Sequence, residues 1–306
     1  MSAGNPDRPA SPLADHVAAE FARQLGQHLE PGLYLVATPI GNLGDISLRA
    51  LATLARADLI CCEDTRHSGI LLHHFGIRRP LRPYHEHNAE AERPRILAAL
   101  AAGQIVALVS DAGTPLISDP GYKLVHAALE GGFRVTAIPG ASAVLTSLAV
   151  AGLPTDTFLF AGFLPPREAA RRARLAELAD APATLIFFEA PSRLASSLAA
   201  MAAAFAGRDV AVARELTKRF EEIKRGTAAE LGAWAAADGG IKGEIVILVG
   251  PPPPTPDIAD SDVAARLAPL LADMSLRDAV RAIADDLGIA KTRVYEIGLG
   301  LKGRGR

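Results

Sequence analysis

Short apolar runs alternate with longer stretches of helical period along most of the chain, and this alternation predicts an α/β protein. Apolar runs at Leu33 to Thr38, Asp58 to Cys62, Pro80 to Tyr84, Ile105 to Val109 and Phe133 to Ile138 read as strands. Between them, Ser47 to Arg56, Ser68 to Phe75, Ala89 to Ala102 and Tyr122 to Leu129 read as helices with one apolar face. Gly152 and Pro154 punctuate the end of this first unit. A second alternating unit follows, with strands near Thr157 to Ala161, Thr184 to Phe188, Asp209 to Ala213, Glu222 to Arg225 and Glu244 to Val249. The Ala-rich stretches Arg167 to Leu178 and Ser192 to Ala206 are its helices. The expected fold is two α/β domains, 31–152 and 153–250, with a cleft between them.

The flanks read differently. Residues 1–30, rich in Pro, Ala and polar side chains, form a flexible extension in which Leu13 to Leu29 makes at best a marginal helix. The four prolines Pro251 to Pro254 are semi-rigid and mark a linker over 251–256. In the remaining 257–306, apolar Leu276, Val280, Ile283 and Leu287 precede Gly288 and then Val294 and Ile297. Ala279, Gly288 and Val294 have the spacing of a helix-turn-helix, in which a small residue permits a close crossing and a glycine the sharp turn. Asp273, Asp278, Asp285 and Asp286 offset Arg277, Arg281, Lys291 and Arg293, so binding in a DNA groove gains little electrostatic support. Only Lys302, Arg304 and Arg306 make a clean basic end; packing as a small helical module and nucleic-acid contact both stay open.

Glycine-bearing loops punctuate the strand ends. LYLVATPIGNLGD (Leu33 to Asp45) runs from a strand into a turn built from Pro39, Gly41 and Gly44; VSDAGTPLISDPG (Val109 to Gly121), IPGASA (Ile138 to Ala143) and KGE (Lys242 to Glu244) also adjoin strands. Glycine lets bare backbone approach a ligand, and in open α/β sheets such loops gather beyond the carboxyl ends of the strands. The spacing is neither the G-x-G-x-x-G of dinucleotide folds nor a phosphate loop, so NAD and ATP are poor candidates.

Composition narrows the classes further. With 306 residues, 49% of them hydrophobic, the chain can bury more than one core, and a net charge of −2 excludes a bulk polycation and leaves any polyanion contact to local patches. No apolar segment reaches bilayer length and the first thirty residues lack a signal-peptide core, so a cytoplasmic protein without a membrane partner is expected. The two cysteines, Cys61 and Cys62, are adjacent in a strand; they should point to opposite faces as free, structural thiols.

Taken in order, ATPIGNLGDISLRAL, CCEDTRHSGILL, YHEHN, VSDAGTPLISDPGYKLV, IPGASA, FFEAPSRL, ARELTKRFEE and KGEIVILV resemble the small-subunit ribosomal RNA methyltransferase I family of the tetrapyrrole methylase superfamily. The resemblance covers about Leu33 to Val249 and extends into the tail. It implies S-adenosylmethionine (SAM) as methyl donor, a cytidine ribose 2′-hydroxyl in the decoding region of 16S ribosomal RNA as acceptor, the 30S subunit as the setting, and a homodimer. It places the donor in the cleft, against Pro39 and Ile40, Asp111, Thr114 and Ile117, then Pro139, Gly140 and Ala141, and in the second unit Phe188, Ala213, Gly243 and Glu244. This largely apolar and backbone set suits adenine and a thioether chain better than a triphosphate.

A neutral ribose hydroxyl is a weak nucleophile, so something should polarise its proton while alignment supplies much of the rate. The candidates lie in EDTR and RELTK: Asp64, Arg66, Glu215 and Lys218. Asp64 suits a base, Lys218 does so only with a lowered pKa, and Arg66 and Arg214 suit phosphate. The plainer reading of each is a salt-bridged helix or strand end. Five of the eight histidines fall between His67 and His87, but His85-Glu86-His87 lacks metalloprotease spacing and no metal is expected. With Arg66, Arg78, Arg79, Arg82, Arg93 and Arg95 the same stretch suits an RNA-facing surface on which a histidine or Tyr84 stacks on a splayed base; the alternative is a solvated face with Tyr84 in the core. Two other functions stay open: methylation of a tetrapyrrole or other small molecule, and a SAM-sensing DNA-binding regulator.

Overall fold

The computed structural model describes residues 12–237, 240–253 and 258–304, with side chains to 301. Residues 1–11 of the expected extension, 254–256 of the linker, Asp257 and the side chains of Lys302, Arg304 and Arg306 lie outside the described residues. The chain divides into two compact units, with the boundary between Pro251 and Pro252.

The first unit opens with α1 (Pro12–Gly26), a full helix where a marginal one was expected, whose Leu13, Val17 and Phe21 line an open apolar groove with Leu48 and Leu51. Then come β1 (Gly32–Val36), α2 (Leu48–Arg56), β2 (Leu59–Cys62), α3 (Thr65–His74), β3 (Leu81–Pro83), α4 (Ala89–Ala101), β4 (Ile105–Leu108), α5 (Tyr122–Glu130) and β5 (Val135–Ile138). The five strands pair parallel in the order β3-β2-β4-β1-β5. From β1 the chain crosses toward β2 and from β4 it crosses the other way toward β5, so helices cover both faces. Ala50, Leu54 and Leu72 of α2 and α3 pack on Tyr34, Val36 and Cys62, while Ile96, Leu100, Leu124 and Ala128 of α4 and α5 pack on Leu33, Cys61 and Leu108. The two thiols are free, buried and on opposite faces.

Helix α6 (Ala143–Ala151) starts at Ser142, whose hydroxyl accepts from the Leu145 amide, and ends at left-handed Gly152. After it come β6 (Phe158–Phe163), α7 (Glu168–Glu177), β7 (Thr184–Glu189), α8 (Leu194–Ala204), β8 (Asp209–Arg214), β9 (Glu222–Thr227), α9 (Ala228–Ala237) and β10 (Ile245–Val249). This sheet, β6-β7-β10-β8-β9, is mixed: only β6 and β7 run parallel, and β10 is antiparallel to both its neighbours. One face carries α7, α8 and α9, with Leu175, Leu198, Met201 and Leu231 on Leu185, Phe187, Val212 and Ile247. The other face is covered by α6, whose Val144, Leu148 and Ala151 pack on Ile186, Ala211, Ala213, Val246 and Leu248. Helix α9 was missed from sequence because its Ala-rich run has almost no polar alternation to set a period.

The second unit contains α10 (Asp260–Asp273), α11 (Leu276–Leu287) and α12 (Lys291–Arg304) around Val263, Leu267, Ala279, Val280, Ile283 and Val294. Sequence reading missed α10, which carries Pro269 in its interior. Ala279 and Val294 are fully buried and Gly288 ends α11 at φ +63°. Its cations face carboxylates: Arg293 with Asp260 (2.7 Å), Arg281 with Asp278 (2.9 Å), Arg266 with Asp286 and Lys291 with Asp285 (both 3.3 Å).

Because α6 holds the second sheet against the first domain through aliphatic packing, Leu148→Ala should remove about 2–5 kcal/mol of stability. Urea unfolding of the full chain checks this, with a lower midpoint and an unchanged slope expected.

Candidate active site

The crossovers from β1 and β4 leave in opposite directions, and a crevice opens where they part. Thr38 and Gly113 pair across it, with Thr38 N donating to Gly113 O (2.8 Å) and Gly113 N to Thr38 O (3.1 Å). The Thr114 hydroxyl donates to Ala141 O (3.3 Å), tying in the loop after β5, and Asp111 Oδ1 accepts from Asp64 N (3.1 Å) at the start of α3. Three loops and a helix start thus form one hydrogen-bonded rim. Gly113 at φ +78° is the turn that permits it, and a Cβ there would stand 3.3 Å from Ile40.

The second sheet meets this rim because β10 is reversed. Ile245, its first residue, pairs with Glu189 at the end of β7 and Arg214 at the end of β8, so the loop before β10 reaches the same end as the loops after β7 and β8. There Glu215 Oε1 accepts from Lys218 Nζ (2.9 Å) and Glu244 N (3.0 Å), and Lys218 Nζ lies 3.3 Å from Glu244 Oε1. Gly243 at φ +96° leaves room for the Glu215 side chain, since a Cβ would fall 2.4 Å from its Cδ. Gly41 accommodates the Lys218 stem in the same way, at 2.5 Å. Lys218 therefore spans from the second domain to the first loop. Among the described residues the non-glycine residues at positive φ are Leu116, Ser118, Glu215 and Thr217, and all four sit in the two facing loops.

Between these walls is a cavity of about 400 Å³. Ile40, Ile117, Val144, Phe163, Phe188, Ala213 and Leu216 make it largely apolar. Among the described residues its charged lining is acidic throughout: Asp111, Asp119, Glu189 and Glu244. Glu189 is buried and paired with Arg193 (2.8 Å), and Glu244 faces Lys218, which leaves Asp111 and Asp119 as the uncompensated carboxylates. Burial pushes the Asp119 carboxyl up to about 6, repulsion from Glu63 and Asp111 adds to this, and a Ser110 hydrogen bond opposes it. Glu63 is raised too, by burial and then Asp111. A second cavity of about 220 Å³ lies on the other side of the first loop, lined by Thr38, Pro39, Gly41, Leu43, Ser110, Asp111 and the α3 residues His67 to Leu71 except Gly69. No cluster of His, Cys, Asp and Glu among the described residues could hold a metal.

Residues 32–232 match the family described as Tetrapyrrole (Corrin/Porphyrin) Methylases, and 257–302 match the RsmI C-terminal HTH domain. The chain is 54% identical over 275 residues to Ribosomal RNA small subunit methyltransferase I of Mesorhizobium japonicum, covering 90% of this chain and 93% of that one. It is 46% identical over 276 residues to the protein of the same name from Pseudomonas aeruginosa, covering 89% and 98%. The chain belongs to the ribosomal RNA small subunit methyltransferase I family of tetrapyrrole methylases. Solved structures share the methylase fold: a cobalt precorrin-4 methyltransferase (TM-score 0.53, 19% identity, 71% of this chain and 94% of that chain) and a Thermus thermophilus uroporphyrin-III C-methyltransferase complexed with S-adenyl homocysteine (0.51, 18%, 72% and 97%).

Within this methylase fold, eight of the twelve residues expected at the donor site line the larger cavity: Ile40, Asp111, Thr114, Ile117, Phe188, Ala213, Gly243 and Glu244. Pro39 lines the smaller one, and Pro139, Gly140 and Ala141 line neither; Ala141 serves through its carbonyl and Gly140 packs on Ala37. Asp64, Arg66, Glu215 and Lys218 lie outside both linings. Asp64 caps α3 and binds Arg66 by two side-chain bonds, which with the Arg66 amide hold its carboxyl down at about 2, a poor proton acceptor. Burial disfavours the Lys218 ammonium, but the Glu215 hydrogen bond and the charges of Glu244 and Glu215 outweigh it and raise its pKa, so the condition for Lys218 to act as a base is not met. Tyr84 is buried at 1% exposure and is core, not a stacking platform; Arg82 and Arg95 are both paired with Glu92. Sequence reading missed Asp119, although it sits within the quoted VSDAGTPLISDPG motif.

Asp119 holds its proton more tightly folded than unfolded, so that contribution to stability is full below about pH 4 and is lost as pH rises through about 6. Asp119→Asn should therefore gain on the wild type as pH is raised across this window. Chemical denaturation of both proteins at pH 4.5 and about 7.5 reads the difference.

Proposed function

We propose that the protein transfers the methyl group of SAM to the ribose 2′-hydroxyl of a cytidine in the decoding region of 16S ribosomal RNA, acting on the 30S subunit. The observation that carries this reading is the larger cavity, apolar in most of its lining and acidic wherever it is charged. SAM brings a flat adenine, a sulfonium and an ammonium, and a cavity without cationic lining favours such a ligand over a nucleotide phosphate. When bound, SAM supplies an electrophilic methyl carbon on sulfur.

This chain's residues supply placement. Ile40, Ile117 and Phe188 would hold the adenine and thioether chain, and Asp119 would offset the positive charge. Lys218, braced by Glu215 and lying on Gly41, keeps the first loop against the second domain and so fixes the donor relative to an incoming ribose. Arg66, 89% exposed and held in orientation by Asp64, stands where an RNA phosphate can approach it. Alignment of hydroxyl and methyl accounts for most of the rate. The reading includes a homodimer acting in the cytoplasm, as family membership suggests.

Labelled methyl should pass from SAM to 30S subunits and appear as 2′-O-methylcytidine on nuclease mapping. Label in a tetrapyrrole instead, or SAM binding without transfer to any acceptor, would replace this reading by small-molecule methylation or by SAM sensing. Lys218→Ala should lower kcat/KM about tenfold to a hundredfold, as misplacement of reacting groups does, with the fold retained by circular dichroism.

A further inference from the structure

Seven of the twelve residues expected at the donor site line only the larger cavity, and the smaller one is built from the same wall. Ile40 faces the larger cavity, whereas its neighbours Pro39 and Gly41 face the smaller one, and Asp111 lines both. Loop and carboxylate together make a partition one residue thick. A group seated in the smaller cavity is thereby held next to whatever occupies the larger.

Its chemistry is that of a slot for one flat, polar-edged ring. Pro39, Leu43, Ile70 and Leu71 give it apolar sides, and Thr38, Ser68, Ser110 and Asp111 give it hydroxyls and a carboxylate. About 220 Å³ is room for a single pyrimidine ring and part of its sugar. Among the described residues no lysine or arginine lines it, so a phosphate belongs outside, where Arg66 stands exposed one residue before the lining His67. Of the four lone-pair sites of the Asp111 carboxylate, the Asp64 amide engages one. The remainder can accept from an exocyclic amine, the group that distinguishes cytosine from uracil.

We propose that the smaller cavity seats the base of the methyl acceptor, a single unstacked cytosine whose exocyclic amine is read by Asp111, so that its ribose lies over the partition with the hydroxyl toward the donor cavity. The proposal rests on the methyltransferase reading above. Extruding the nucleotide satisfies a geometric need, since a ribose within a stacked helix cannot be aligned with an enclosed methyl group.

The test uses the full chain and 30S subunits reassembled from transcribed 16S RNA with either C or U at the methylated position. Ile70→Trp and Leu43→Trp place an indole at the slot from side chains that are 69% and 39% exposed, so the core is undisturbed. Both should leave the SAM dissociation constant within about twofold by calorimetry and reduce methyl transfer by about a hundredfold or more, since an occluded base cannot align its ribose. Asp111→Asn offers an amide that can donate to uracil O4. The wild type should favour C over U by about tenfold or more, and the variant should shrink or invert that ratio. If both tryptophan variants methylate normally, or if Asp111→Asn slows C and U equally, the seat is overturned while the methyltransferase reading stands. A wild type that transfers no methyl to RNA removes that reading, and the seat with it, before any variant is compared.

Discussion

The site depends on the aliphatic joint made by α6. Val144, Leu148 and Ala151 of this helix belong to the first domain's chain but pack on the second sheet, and Ile40 of the first loop and Leu216 of the facing loop join the same cluster. Ile40, Val144, Ala213, Leu216 and Val246 are at once core residues and cavity lining. The cavity is therefore the open edge of a hydrophobic core, and its shape is as fixed as the packing beneath it. Each buried aliphatic side chain contributes about 1.5–3 kcal/mol, whereas each strained residue costs about 1–3 kcal/mol. The seven buried Val, Leu and Ile side chains in the joint outweigh the four left-handed residues in the loops above it. Arg225 of β9 reinforces the joint by donating to the carbonyls of Val150 and Ala151 at the end of α6.

Charge is partitioned around this joint. Burial raises the pKa of Asp119 and Glu63, and repulsion among Asp111, Asp119 and Glu63 adds to it, so a bound cation would find favourable charge there. The cations stay at the margins: Lys218 is committed to Glu215 and Glu244, and Arg66 to Asp64 on an exposed helix start. Acid inside and base at the rim is the arrangement expected when a sulfonium donor is enclosed and a polyanionic acceptor is met only at the surface.

Much of the first domain was legible because its strands are short apolar runs bounded by glycine, and its helices keep an apolar stripe. The cavity loops were legible for a related reason: Gly41, Gly113 and Gly243 adopt positive φ that excludes most side chains, so their positions leave a mark in the sequence. Leu116, Ser118, Glu215 and Thr217 adopt the same region without glycine, and nothing local reveals it. Their conformations are imposed by surroundings, as with Glu215, whose backbone and carboxylate are both tied to Glu244. Charge identity was equally opaque. Asp64 and Lys218 look alike as chemical groups in sequence, and only the structure reveals the partners that hold them, Arg66 for one and Glu215 with Glu244 for the other.

The order of strands in the second sheet was the least legible feature and has the largest consequence. Alternating strands and helices predict parallel crossovers, which would put the KGE loop at the end of the sheet remote from the ends of β7 and β8. Reversing β10 brings Gly243 and Glu244 beside Glu215, and only then does Lys218 find two carboxylates while its stem rests on Gly41. Left-handed Glu215, Lys218 and, 29 residues beyond Glu215, Glu244 thus become a single strut across the cleft. The strut exists only in the folded topology, so the sequence carries its parts but not their meeting.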